Sequence, residues 1–207
     1  ISNLTIVDKL FIAISMRSVS IGDTLELDIQ VGEQTIRRGI SLSSLLQKAK
    51  EQVKLPGPVV VSDDRGVFTV ECDVPNIKAE YLLEKELRSN IDESSVKNVE
   101  DLREIIGDAF VTELVKYIKS VGVKTDEATM TKILFNDEIS FKDRIAIVER
   151  LPARVVERLL EYVNLIKKEI DKVVITTVEV TNKKGKKEIK ENIERRLSID
   201  GNFFMSS

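Results

Sequence analysis

Histidine and tryptophan do not occur in this 207-residue chain, and Cys72 is its one cysteine. The missing histidine excludes the most. Without imidazole there is no Ser-His-Asp or Cys-His nucleophile, no histidine general base and no zinc site of the usual kinds. A single thiol cannot form an intramolecular disulfide, which suits a reducing cytoplasm. Seven Phe and three Tyr are the only aromatics, too few to suggest a sugar- or base-stacking site. The nine glycines are scattered, and no phosphate-cradling loop or dinucleotide fingerprint runs through them. Basic charge is not in excess: the net charge is -3 and the pI about 5.4, so a chain-wide field for nucleic acid is absent. Long hydrophobic runs are absent too. "LFIAISM" is flanked by Asp8-Lys9 and Arg17, far short of the roughly 18–20 apolar residues that span a bilayer, and it lacks the pattern of a secretory leader.

What is present is a chain with 42% apolar and 32% charged residues, enough to bury a real core beneath a surface charged in both signs. Thr5 and Asp8 fit a helix-capping arrangement, and Ile6, Val7, Leu10, Phe11 and Ile14 then form a helical stripe. Ile12, Ala13 and Met16 widen that stripe, so the helix is expected to be covered on most sides, by the rest of the fold or by a second copy. Gly22 is placed for a left-handed exit, after which "TLELDIQV" alternates at period two and pairs with "QTIRRGI".

Ser41 or Ser43 caps a second helix that ends before Pro56-Gly57-Pro58. "VVVSDDRGVFTVECDV" reads as a second hairpin, and a helix follows Pro75. The pattern from Val99 to Val121 predicts one long helix, and "EATMTKILF" a short one. Helices on either side of Pro152 come next, then a closing hairpin, "ITTVEV" with "KEIKENI", and the tail "LSIDGNFFMSS". The expected class is α+β and helix-rich. In chain order this gives an α/β front half with two hairpins (1–90), a helical region (91–171), and a C-terminal hairpin and tail (172–207), either separate or as one compact domain.

Three stretches could carry chemistry. Asp63 and Asp64 share a tight turn, where two carboxylates can hold a cation or divide acid-base work; a hairpin turn closed by Gly66 needs such residues in any case. Cys72 alternates with Phe68, Val70 and Val74, the company of a small buried residue rather than a nucleophile. Between Lys183 and Arg196 bases outnumber acids, as in a nucleic-acid reader. Interleaved Glu188, Glu191 and Glu194, with no aromatic between Tyr162 and Phe203, read instead as a solvated hairpin tip. Phe203, Phe204 and Met205 lie beyond the last strand signal, either folded back onto the core or offered as an anchor to another subunit. Nothing in the chain reads as a catalytic signature or calls for a cofactor or metal.

The opening stretch, "LTIVDKLFIAISMRSVSIGDTLEL", resembles the amino-terminal motif of the baseplate protein family of T-even-like, contractile-tailed bacteriophages, which includes the baseplate hub assembly protein. The positions that carry the resemblance are Asp8, Lys9, Arg17, Ser18, Ser20, Gly22 and Asp23, over about the first thirty residues, with "FKDRIAIVERL" as a second point of likeness. The resemblance implies a non-enzymatic hub component or hub-assembly factor whose partners are other baseplate proteins. It would work in the host cytoplasm during assembly or in the virion's tail. It brings no catalytic residues. Arg17 and Asp23 are expected to fix the helix-to-strand turn by hydrogen bonds or a salt bridge.

Overall fold

The computed structural model describes residues 4–31, 34–90, 109–125, 129–184, 187–199 and 201–204. The class is α+β, as expected. In chain order the elements are α1 (Ile6–Ser20), β1 (Thr24–Val31), β2 (Gln34–Ser41), α2 (Leu42–Gln52), β3 (Val59–Ser62), β4 (Phe68–Cys72) and α3 (Ile77–Asn90). Residues 109–115 are helical (α4), followed by β5 (Ile118–Lys124), β6 (Met130–Leu134), α5 (Phe141–Val148), α6 (Ala153–Val174), β7 (Ile175–Lys184) and β8 (Lys187–Arg196). A 3-10 turn, Gly201–Phe204, comes last. Among the described residues no helix is long and apolar enough to cross a membrane.

The chain forms two compact units, one from Ile1–Ile6 and Leu55–Ile166, the other from Val7–Lys54 and Lys167–Ser207. They interleave along the sequence, whereas the expected division at 90 and 171 ran in chain order.

In the first unit, β3, β4, β5 and β6 form an antiparallel sheet in that order. Val61, Val70, Cys72 and Val121 are buried along it, on alternate positions of their strands. Arg158 of α6 donates to the Ser62 carbonyl, and the Tyr162 hydroxyl donates to the Gly57 carbonyl at 3.0 Å, tying the helix to the β3 edge. Val155, Leu159, Val163 and Ile166 are buried along one face of α6. Before α5, Ser140 accepts from the Asp143 amide at 3.2 Å and donates to its carboxylate at 2.6 Å, a capping pair.

Two expectations fail in this unit. The long helix from Val99 to Val121 is helical only as far as 115 within the described residues, and Ile118–Lys124 is the inner strand β5. "Met-Thr-Lys-Ile-Leu", read as helix, is the edge strand β6. Both stretches mix helix formers with β-branched residues, so local preference is weak, and backbone pairing with β4 and then β5 decides the outcome. Residues 99–108 and 127–128 of those two predictions lie outside the described residues.

In the second unit, two separate hairpins, β1–β2 and β7–β8, share one apolar cluster. Ile29, Val31, Val178 and Val180 are its centre, with Leu27, Ile36, Ile40 and Ile193 packed around them. Each residue comes from the inward set of an alternating strand, so the period-two pattern builds this core directly. α2 adds buried Leu42, Leu45, Leu46 and Ala49 to this unit. Glu169 accepts from the Lys54 amide at 2.6 Å, and Leu197 donates to the Val174 carbonyl at 2.7 Å.

Ile29 is fully buried, so Ile29→Ala should cost about 2–5 kcal/mol in urea denaturation, whereas the exposed neighbour Gln30→Ala should stay within about 0.5 kcal/mol. Equal losses at the two positions would refute the inward register assigned to β1.

Candidate functional site

The positions singled out at the start of the chain meet at the end of α1. The stripe Val7, Ile14 and Arg17 lies on one side of the helix and is buried, with Leu10 and Phe11 half-buried beside it. Asp8 sits in the first turn, where the helix dipole favours a carboxylate. Lys9 beside it is exposed.

Arg17 is the largest fully buried side chain among the described residues, at 1% exposure. Its Nε donates to the Phe203 carbonyl at 2.7 Å and its Nη1 to the Gly22 carbonyl at 3.1 Å. The guanidinium carbon stands 5.4 Å from the centre of the Phe203 ring. The Arg17 carbonyl in turn accepts the Ile21 and Gly22 amides at 3.0 and 3.2 Å, which closes the helix. Gly22 has φ +146°, a positive-φ conformation that L side chains rarely adopt. Its exit is therefore more extended than the left-handed helical turn anticipated, near φ ≈ +57°.

Asp23 serves the same turn from the other side. Its carboxylate accepts from Ser18 Oγ at 2.8 Å, Ser41 Oγ at 2.7 Å, Ser43 N at 2.8 Å and Ser43 Oγ at 2.9 Å. Ser41 is the N-cap of α2 and also accepts from the Ser44 amide at 3.1 Å. Asp23 is thus an anion at the N-terminus of α2, fixed there by donors from α1 and from the end of β2. Hydrogen bonds from Ser41, Ser18 and the Ser43 amide hold its carboxyl down at about 2. Arg17 and Asp23 fix the turn through these different partners. The sequence marked Ser41 or Ser43 as the cap of α2; the service of both to a carboxylate about twenty positions earlier was not visible in it.

The tail divides. Phe203 is buried at 4% and held by Arg17, so it is not an exposed anchor; the fold uses it internally. Phe204 is exposed and meets the Phe203 ring edge-on at 5.3 Å. Met205 lies outside the described residues. Ile12, Met16 and Val19 of α1, spaced at i, i+4 and i+7, are 44%, 59% and 89% exposed. Ile12 and Met16 were expected under cover, but this chain leaves them open.

The other candidates dissolve into local roles. Asp63 Oδ1 accepts from the Phe68 amide at 2.9 Å, a turn contact that lowers its pKa. Asp64 pairs with Arg158 at 2.7 Å and Arg154 at 3.8 Å. The two neighbours thus serve different partners, and no group of three or more metal-ligating side chains occurs among the described residues. Cys72 is buried, and desolvation pushes its thiol up to about 12. In the basic hairpin Lys190 pairs with Glu179 at 2.8 Å, and Arg196 with Asp171 at 2.7 Å. The side chains of residues 182–189 are outside the described set.

Arg17→Lys removes the fork that reaches two carbonyls, and leaving one buried acceptor without its donor should cost about 1–3 kcal/mol in urea denaturation. An unchanged midpoint would deny Arg17 its structural role. Asp23 has a folded pKa below its usual 3.8, so its stabilising effect is complete above that value and is lost as the pH falls toward 2. The stability gap between the wild type and Asp23→Asn should therefore be constant near neutrality and close between pH 3.8 and 2. A gap independent of pH over that window would mean the four donors do not act on the charge.

Compared with family models, curated proteins and solved structures, the chain matches none.

Proposed function

We propose that this chain is a non-enzymatic assembly protein of a contractile phage tail, a baseplate hub component or hub-assembly factor that works by protein–protein contact. The observation that carries this reading is the use made of the motif residues. Arg17, Ser18, Gly22 and Asp23, which bear the resemblance to the baseplate family, all engage one turn through hydrogen bonds to one another, to α2 and to the closing 3-10 turn. A motif used in this way conserves shape, and shape is what an assembly protein presents to its partners.

A second feature agrees with it. Ile12, Met16 and Val19 leave an apolar stripe on the outside of a helix whose far end is fixed, the kind of surface that marks a contact with another polypeptide. Binding there would select one conformation of a partner without making or breaking a bond.

The test is affinity purification of the tagged chain from infected cells, with subunits identified and their stoichiometry measured by mass spectrometry. Baseplate or hub proteins should be recovered in fixed ratio, and Met16→Glu should reduce that recovery while leaving the fold intact. Recovery of intact protein with no tail component would refute the assignment, as would turnover of a small substrate traceable to one of its side chains.

A further inference from the structure

We infer that a pocket in the unit formed by Ile1–Ile6 and Leu55–Ile166 is a docking site for an acidic segment of another polypeptide, with one apolar side chain of that segment inserted. The pocket holds about 190 Å³ and is lined from α3, α4, the start of β5, the exit of β6 and α5. Lys78, Lys116, Lys119 and Arg144 contribute four cationic groups, and Asp137 is the one carboxylate among the described lining residues. Between them lies apolar surface from Leu82, Phe135 and Phe141, each only half-buried, over buried Val115.

Size decides between classes of occupant. Pockets that enclose a cofactor or a drug-sized ligand run to about 300–1,000 Å³. This one is smaller and suits a single large side chain. The four cations around it, three of them now facing Asp137, Glu113 and Asp73, then select for acidic neighbours on either side of that anchor.

The cations are positioned in advance. Arg144 donates to the carbonyls of Ile139 and Asn136 and stands 5.9 Å from the Phe135 ring centre. Lys116, with a side chain only 11% exposed, lies over the Tyr117 ring at 5.3 Å and 3.6 Å from Glu113. Asp137 shows what the rim accepts: Lys78 Nζ donates to its two oxygens at 2.7 and 2.6 Å, although the Asp137 side chain is 74% exposed. Its carboxyl is held below the usual range, by Lys78 first and by Arg144 in addition. An incoming carboxylate competes with Asp137 for Lys78, so removing the internal competitor should tighten binding. This site requires no phage partner and stands apart from the assignment above.

The experiment is fluorescence anisotropy of the full chain with a labelled Glu-Glu-Phe-Glu-Glu peptide and its Gln-Gln-Phe-Gln-Gln counterpart, together with amide shift mapping by NMR. The acidic peptide should bind saturably, with shifts centred on Leu82, Val115 and Phe135. Lys78→Glu should weaken it about tenfold, as like charge facing a ligand does, and Asp137→Asn should tighten it. Lys119→Glu is a second rim variant, should Lys78→Glu fail to give the wild-type melting curve. No saturable binding, equal binding of the Gln peptide, shifts elsewhere, or weakening by Asp137→Asn would each overturn the inference. Displacement by pyrophosphate or by a thymidine oligonucleotide at the peptide's own concentration would also overturn it, assigning the pocket to small anions or to nucleic acid.

Discussion

One buried guanidinium sets the terms for the unit built from Val7–Lys54 and Lys167–Ser207. Arginine stays charged in proteins, and taking it out of water is costly unless every direction it points in offers an acceptor. Among the acceptors Arg17 finds are two carbonyls, one five residues ahead at Gly22 and one 186 residues ahead at Phe203. The first bond ends α1 and aims the chain into β1. The second brings the last described turn of the chain to the same place. An aliphatic residue at position 17 could fill space there, but it could not specify which carbonyls approach. Directionality is what the charge contributes.

Asp23 complements this with the opposite sign and a different environment. It is solvent-exposed enough that its charge costs little, and its four donors come from α1, the end of β2 and the start of α2. One side chain thereby fixes the angle between a helix, a hairpin and a second helix. The two residues divide the work: Arg17 secures what is buried, and Asp23 orders what is at the surface. Elsewhere the many charges are paired across exposed distances, as in Arg37–Asp28 or Lys190–Glu179. Exposed pairs of this kind contribute about 0–1 kcal/mol each and are screened by salt. They keep the surface soluble and do not determine the fold.

How much of this was legible follows from the range of the forces involved. The hairpins β1–β2, β3–β4 and β7–β8 are local, so alternation and turn residues predicted them. A serine cap for α2, at 41 or 43, and the break at Pro152 were legible for the same reason. Strands β5 and β6 were not. Ile118–Lys124 is a strand because Phe68–Cys72 pairs with it some fifty positions away. No window of sequence contains that partner. β6 has its partner β5 close by in sequence, but once β5 was read as the end of a helix that hairpin was missed too. The turn itself was half legible: the motif marked Arg17, Gly22 and Asp23, but an arginine next to a small residue does not reveal that its acceptor is the carbonyl of Phe203. The aromatics of the tail read first as filling folded back onto the core and second as an anchor. Burial of the first with exposure of the second depends on where Arg17 lies, which only the fold supplies.

Rigidity links the turn to the proposed work of the chain. Binding orders side chains and loops, and a surface already held in place loses less on association. Ile12, Met16 and Val19 stand on a helix whose C-terminal end is fixed by Arg17 and by the amides of Ile21 and Gly22. Their relative positions are therefore set by helical geometry, about 6 Å along the axis from i to i+4 and about 10 Å from i to i+7. On the proposed reading, a partner would meet a row of apolar groups at known spacing rather than a mobile loop. The same reasoning explains why the chain can leave such a row open: three apolar side chains over about two turns of one helix present a narrow target, large enough to recognise and too small to drive indiscriminate association.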